Sequence, residues 1–99
     1  EEIKLGKASI LTVVNDKTIE MFDINIIKIS PDNKQIKNIL FEVTDKELLD
    51  ISGGIVQGMS GSPIIQEDMI IGAVTHVVVD DCTKGYGIFI TNMLEEAEN

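Results

Sequence analysis

Ninety-nine residues leave room for one domain, and 43% hydrophobic with 25% charged residues mark the chain as globular and not disordered. Eight lysines, no arginine and 17 acidic residues give a formal charge of −9, which argues against binding a nucleic-acid backbone or an anionic membrane surface. No run of about 18 apolar residues exists to span a bilayer, and a single cysteine, Cys82, provides neither an internal disulfide nor a cysteine-based zinc site.

Seventeen isoleucines and eight valines bias the chain toward strands. Ala8 to Val14 reads as a first strand and Asn15-Asp16-Lys17 as a turn. Thr18 to Ile29 reads as one long strand. Its apolar phase changes from Ile19 and Met21 to Phe22, Ile24 and Ile26, then again at Ile27 and Ile29. Each change predicts a bulge or bend of the kind a small barrel needs at its corners. Ser30-Pro31-Asp32-Asn33 is a loop, and Ile36 to Val43 contains another strand. Thr44-Asp45-Lys46-Glu47 has capping-box form, with Thr44 as the cap and Glu47 at the third helical position. The helix runs to about Asp50, and Ser52-Gly53-Gly54 ends it. Gly58 to Pro63 is a tight turn, and Ile64-Ile65-Gln66, Glu67-Asp68 and Met69 to Val79 form a hairpin. Asp80 to Gly85 reads as a loop and Tyr86 to Ile90 as a last strand. Asn92 to Glu98 reads as a short C-terminal helix capped by Thr91 or Asn92. Regularly spaced strands with turn signals between them predict an all-β barrel or sandwich.

The segment that carries chemistry is Gly53-Gly54-Ile55-Val56-Gln57-Gly58-Met59-Ser60-Gly61-Ser62-Pro63. Glycines two before and one after Ser60 let the backbone turn sharply and let a substrate approach without a Cβ in the way. Such a turn can aim the N–H groups of Gly58 and Ser60 at one point, as an oxyanion hole does. Taken alone, the four-residue pattern is better accounted for by a plain Gly/Ser turn. Ser62, just before Pro63, reads as bonding locally in the turn. Asp45 suits the first turn of a helix, where a carboxylate favours the dipole. His76 is the only histidine, so a reaction that needs an imidazole uses it or borrows one from elsewhere. Glu67-Asp68 and Asp80-Asp81 are adjacent acids at turns and read as solvated, so no metal is assigned. Cys82, with only Lys84 nearby, reads as unreactive. No cofactor is expected.

Gly58-Met59-Ser60-Gly61-Ser62-Pro63, followed by a hairpin and Ile71-Gly72-Ala73-Val74, resembles the nucleophile region of trypsin-like serine peptidases. A longer set of motifs resembles the SpoIVB peptidase family of spore-forming bacteria. It comprises Thr44-Asp45 through Leu48-Leu49, Gly53 through Gln66, Ile71 through Val77, and Gly85-Tyr86-Gly87-Ile88. The likeness is strongest over residues 43–94 and weaker through Ile10 to Val14 and Phe22-Asp23-Ile24. It implies a serine endopeptidase with a trypsin-like double barrel, preceded by a PDZ domain and a membrane-targeting N-terminus. Such an enzyme acts between the forespore and mother-cell membranes. There it cleaves a regulator of an intramembrane metalloprotease that processes a late sigma factor.

The resemblance places the nucleophile on Ser60 and the acidic triad member on Asp45, while the family's histidine, in an upstream Gly-His motif, matches nothing here. Asp45 therefore stands open between triad acid and helix cap. Gly54 falls at the floor of the primary specificity pocket, where it offers no charge to Lys or Arg. Ile55, Val56 and Gln57 line or rim that pocket, and Ala73 and Val74 lie on the strand that pairs with substrate. Met59 stands where many trypsin relatives carry an Asp that pairs with a freed N-terminus, so that mode of activation is not expected. Residues 1–99 then read as a single domain, the C-terminal barrel, with the first barrel and the PDZ domain lying outside it. A start at Glu1 instead of Met fits a processed or excised segment. The chain alone is expected to be inactive for want of its histidine. The expected partners are a protein or peptide substrate, the remaining domains, and a second copy docking on a barrel face left exposed. The competing reading is a non-catalytic, PDZ-like or β-barrel peptide-binding module, since strand addition needs no catalytic residue.

Overall fold

In the strand Thr18–Ile29 (β2), Phe22, Ile24 and Ile26 turn inward and are buried, while Ile19, Met21 and Ile27 face out. The same alternation repeats along the chain and closes a barrel. The computed structural model describes residues 3–14, 18–30, 38–55, 58–78 and 80–90. Among these residues, five further strands accompany β2: β1 (Gly6–Val14), β3 (Ile39–Val43), β4 (Pro63–Gln66), β5 (Met69–Val78) and β6 (Asp81–Phe89). All pairings are antiparallel, and the spatial order β1-β2-β3-β6-β5-β4 closes on itself through β1 and β4. One short helix, α1 (Lys46–Ser52), connects β3 to β4. The architecture is the all-β small barrel expected from the sequence.

The barrel interior holds Ala8, Ile10, Phe22, Ile24, Ile26, Ile39, Phe41, Val43, Ile64 and Val74, with Leu48 of α1, Ile55 and Met59 packed into the same cluster. Phe41 is fully buried. Phe41→Ala is expected to lower the unfolding free energy by about 3–5 kcal/mol, from lost transfer energy and the cavity left behind, as measured by urea denaturation.

Several sequence expectations need correction. The β1–β2 register runs unbroken from Gly6↔Ile26 to Val14↔Thr18, so the first phase change in β2 is not a bulge. Ile19 and Met21 are outward-facing apolar side chains opposite Val13 and Leu11. The second change is a true irregularity, a register shift against β3 between Ile26 and Lys28. The helix cap is Asp45 and not Thr44, and α1 continues to Ser52 before Gly53 ends it in a left-handed conformation. Residues 81–85, expected as loop, are the first half of β6. Asp81 lies opposite Val78 of β5, Lys84 opposite Glu42 of β3, and Gly85 opposite both Phe41 of β3 and Val77 of β5, so ladder pairing overrides a polar composition. The turn at Asn15-Asp16-Lys17, the segment Pro31-Asp32-Asn33 and the helix from Asn92 to Glu98 lie outside the described residues.

Candidate active site

One end of the barrel gathers the chemistry. There β1, β3 and β5 finish and β2, β4 and β6 begin, so the turn before β4 and the cap of α1 share that end. In the turn, Gly58 (φ 102°) and Gly61 (φ 91°) adopt positive φ, a conformation a side chain would strain. The Gly61 N–H donates to the Val74 carbonyl at 2.7 Å, and the Val74 N–H donates to the Ser62 carbonyl at 2.9 Å. The Ser62 N–H donates to the Met59 carbonyl at 3.0 Å, with Met59 buried beneath. These bonds fasten the turn to β5.

Ser60 is exposed at the crest, and its hydroxyl donates to the Thr75 carbonyl at 3.0 Å. Among the described residues, nothing accepts from the backbone N–H of Gly58 or of Ser60. Among the described residues, the two donors that an oxyanion hole would use thus carry no competing bond. Ser62 does not bond locally through its side chain as expected. Its hydroxyl donates to the hydroxyl of Thr12 at 3.0 Å, fifty residues away in sequence.

β4 pairs with β5 only as far as Ala73, and the turn adds Val74. From His76 to Val78, β5 has β6 on one side and no described strand on the other. This open edge follows directly on the residue that holds the Ser60 hydroxyl. Ala73 and Val74 have buried side chains, so only their backbone faces the turn. His76 is exposed on β5 opposite Tyr86, and no hydrogen bond joins it to Ser60.

Asp45 is committed to backbone. One carboxylate oxygen, Oδ1, accepts from the N–H of Glu47 at 2.9 Å and of Leu48 at 3.4 Å. The other, Oδ2, accepts from the Asp23 N–H at 3.0 Å, tying α1 to β2. Among the described residues, no hydrogen bond joins Asp45 to Ser60.

The segment after α1 is pinned to the start of β6. The Ile55 N–H donates to the Cys82 carbonyl at 2.7 Å, and the Cys82 thiol donates to the Gly53 carbonyl at 3.3 Å. Gly54 (φ 137°) passes so close that a Cβ there would sit 2.2 Å from the Cys82 carbonyl oxygen, which only glycine permits. Ile55 is buried in the core cluster. Val56 and Gln57 lie outside the described residues.

At the head of β6, the Thr83 hydroxyl and then the Thr83 N–H donate to Asp81, and with help from Lys84 they hold its carboxyl below the usual range. Among the described residues, no group of three or more His, Cys, Asp or Glu could hold a metal ion.

Two further residues, Thr12 and Thr75, bond to the serines of the turn. Thr75 enters through its backbone carbonyl, which no side-chain pattern signals. Thr12 left a trace: it continues the inward phase of Ala8 and Ile10 with a hydroxyl.

A family model described as SpoIVB peptidase S55 matches residues 1–94 of the chain. No curated protein and no solved structure matches it.

Proposed function

The chain belongs to the SpoIVB peptidase S55 family, and we propose on that premise that it is the nucleophile-bearing barrel of a trypsin-like serine endopeptidase. The observation that carries this reading is the placement of Ser60. It is exposed on a turn shaped by two positive-φ glycines, with the Gly58 and Ser60 N–H groups uncommitted among the described residues. An open strand edge begins one residue beyond its hydrogen-bond partner.

In the proposed reaction the Ser60 hydroxyl attacks the scissile carbonyl while an imidazole takes its proton. The N–H groups of Gly58 and Ser60 donate to the oxyanion that forms. The imidazole then returns the proton to the leaving amine, and water releases the acyl group from Ser60 by the same route. A histidine from an upstream barrel supplies that imidazole. His76 is not bonded to Ser60 and is not needed for it. The bond from Ser60 to the Thr75 carbonyl is then a resting arrangement, exchanged when the imidazole arrives. The substrate backbone adds along the open edge from His76 to Val78. Asp45, held by three backbone donors, orients the imidazole. In the full-length protein the other partners are the first barrel and a PDZ domain. The substrate is a regulator of sporulation sigma-factor activation, met in the space between the forespore and mother-cell membranes.

A fluorophosphonate tests the reading. The full-length protein is expected to take up one adduct, located at Ser60 by peptide mass mapping. The 99-residue chain, lacking the base, is expected to label far more slowly. Labelling of another residue in the full-length protein, or fast labelling of the short chain, would overturn the assignment.

A further inference from the structure

We infer that Thr12 is a positioning residue for the Ser60 turn, acting through Ser62. The inference rests on the reading of Ser60 as nucleophile.

The β1–β4 seam closes the barrel with only two residue pairs, Ser9↔Ile65 and Ile10↔Ile64. Continued at the same register, that ladder would bring Thr12 opposite Ser62. The backbone pairing stops short of this point, and the two hydroxyls meet there instead, at 3.0 Å. Thr12 is 5% exposed and faces the apolar interior with Ile10. A buried hydroxyl without a partner is costly, so the bond to Ser62 satisfies Thr12 and fastens Ser62 at once.

Ser62 is thereby held at three points. Its N–H goes to Met59 within the turn, its carbonyl receives the N–H of Val74 on β5, and its hydroxyl reaches Thr12 on β1. The first two attach the turn to itself and to one strand. Only the third attaches it to β1, across the β1–β4 seam. Gly58 and Gly61, free of Cβ constraint, make the turn easy to deform. An oxyanion hole depends on donors held in place before the reaction, so an anchor two residues after the nucleophile bears on the rate step and not on substrate affinity. Loss of the Thr12 hydroxyl leaves the turn fastened to β5 alone.

The experiment measures steady-state hydrolysis by the full-length protein, with urea midpoints taken in parallel. Thr12→Val keeps the shape and deletes the hydroxyl. It is expected to lower kcat by about 10- to 100-fold, the scale of a small misplacement, with KM little changed. Thr12→Ser restores the hydroxyl and is expected to recover most of kcat. Ser62→Ala removes the other half and is expected to match Thr12→Val, and the double variant to be no slower than either single one. If Thr12→Val fails to fold, Ser62→Ala and Thr12→Ser carry the comparison. A lowered urea midpoint with unchanged kcat would make the pair merely structural and sink the inference. Full activity of Ser60→Ala would instead sink the reading on which it rests, so the two failures are distinguishable.

Discussion

Ser60→Ala in the full-length protein is expected to lower kcat by on the order of 10⁶, with little change in stability. The size follows from covalent catalysis: without the hydroxyl there is no acyl intermediate, and what remains is binding and the oxyanion hole. The near-neutral effect on stability follows from the structure. Ser60 is exposed, and its side chain makes one described bond, to the Thr75 carbonyl. Losing that bond at the surface costs about 1 kcal/mol or less. A urea midpoint close to that of the parent, with hydrolysis at background, is the expected pair of readings. Activity retained within tenfold would remove Ser60 from the chemistry. Ser62 does not offer a substitute, because its hydroxyl is already given to Thr12 inside the barrel wall.

The contrast between these two serines shows what local sequence could and could not convey. The turn itself was legible, because glycine on both sides of a serine before a proline has few other uses. The division of labour was less so. Ser62 was expected to bond within its own turn, and it bonds to a residue fifty positions away. That partner is set by the β1–β4 register, a property of the closed barrel and not of either segment.

The strands divide in the same way. β2 was legible to its ends because its apolar residues alternate and turn signals bracket it. Its outer face was not: Ile19 and Met21 look like a change of phase in sequence but are simply exposed. The start of β6 was hidden by composition. Asp81, Cys82, Thr83, Lys84 and Gly85 read as loop, and only ladder contacts from distant strands reveal the strand: Asp81 lies opposite Val78 of β5, Lys84 opposite Glu42 of β3, and Gly85 between Phe41 and Val77. The helix cap was missed by one residue for a similar reason. Thr44 and Asp45 are both competent caps, and the N–H groups of both donate to the Asp23 carbonyl of β2. That contact holds the chain extended through Thr44 and delays the helix until after Asp45.

Asp45 has a structural role as helix cap and a proposed one as triad acid, and Asp45→Asn in the full-length protein separates them. An ionised carboxylate has about four lone-pair positions. Three backbone donors occupy Asp45, two on Oδ1 and one on Oδ2, which leaves room on Oδ2 for one further donor. That is enough for an imidazole N–H, and the three existing bonds fix the direction from which it must come. Asparagine can keep the helix cap through its one oxygen, since it is itself a good cap. Its NH₂ group must then face the Asp23 N–H, donor against donor. The predicted stability cost is therefore about 1–3 kcal/mol, that of one charge-assisted bond, whatever the role of Asp45 in catalysis. Turnover decides the matter. As an orienting acid, Asp45 holds the imidazole in the tautomer that can accept the serine proton, and its amide replacement is expected to lower kcat by on the order of 10⁴. As a cap alone, it would lower the urea midpoint and leave kcat per folded molecule near that of the parent. We expect both losses together, because the backbone bonds that make Asp45 a cap are also what would hold its carboxylate still beneath an arriving histidine.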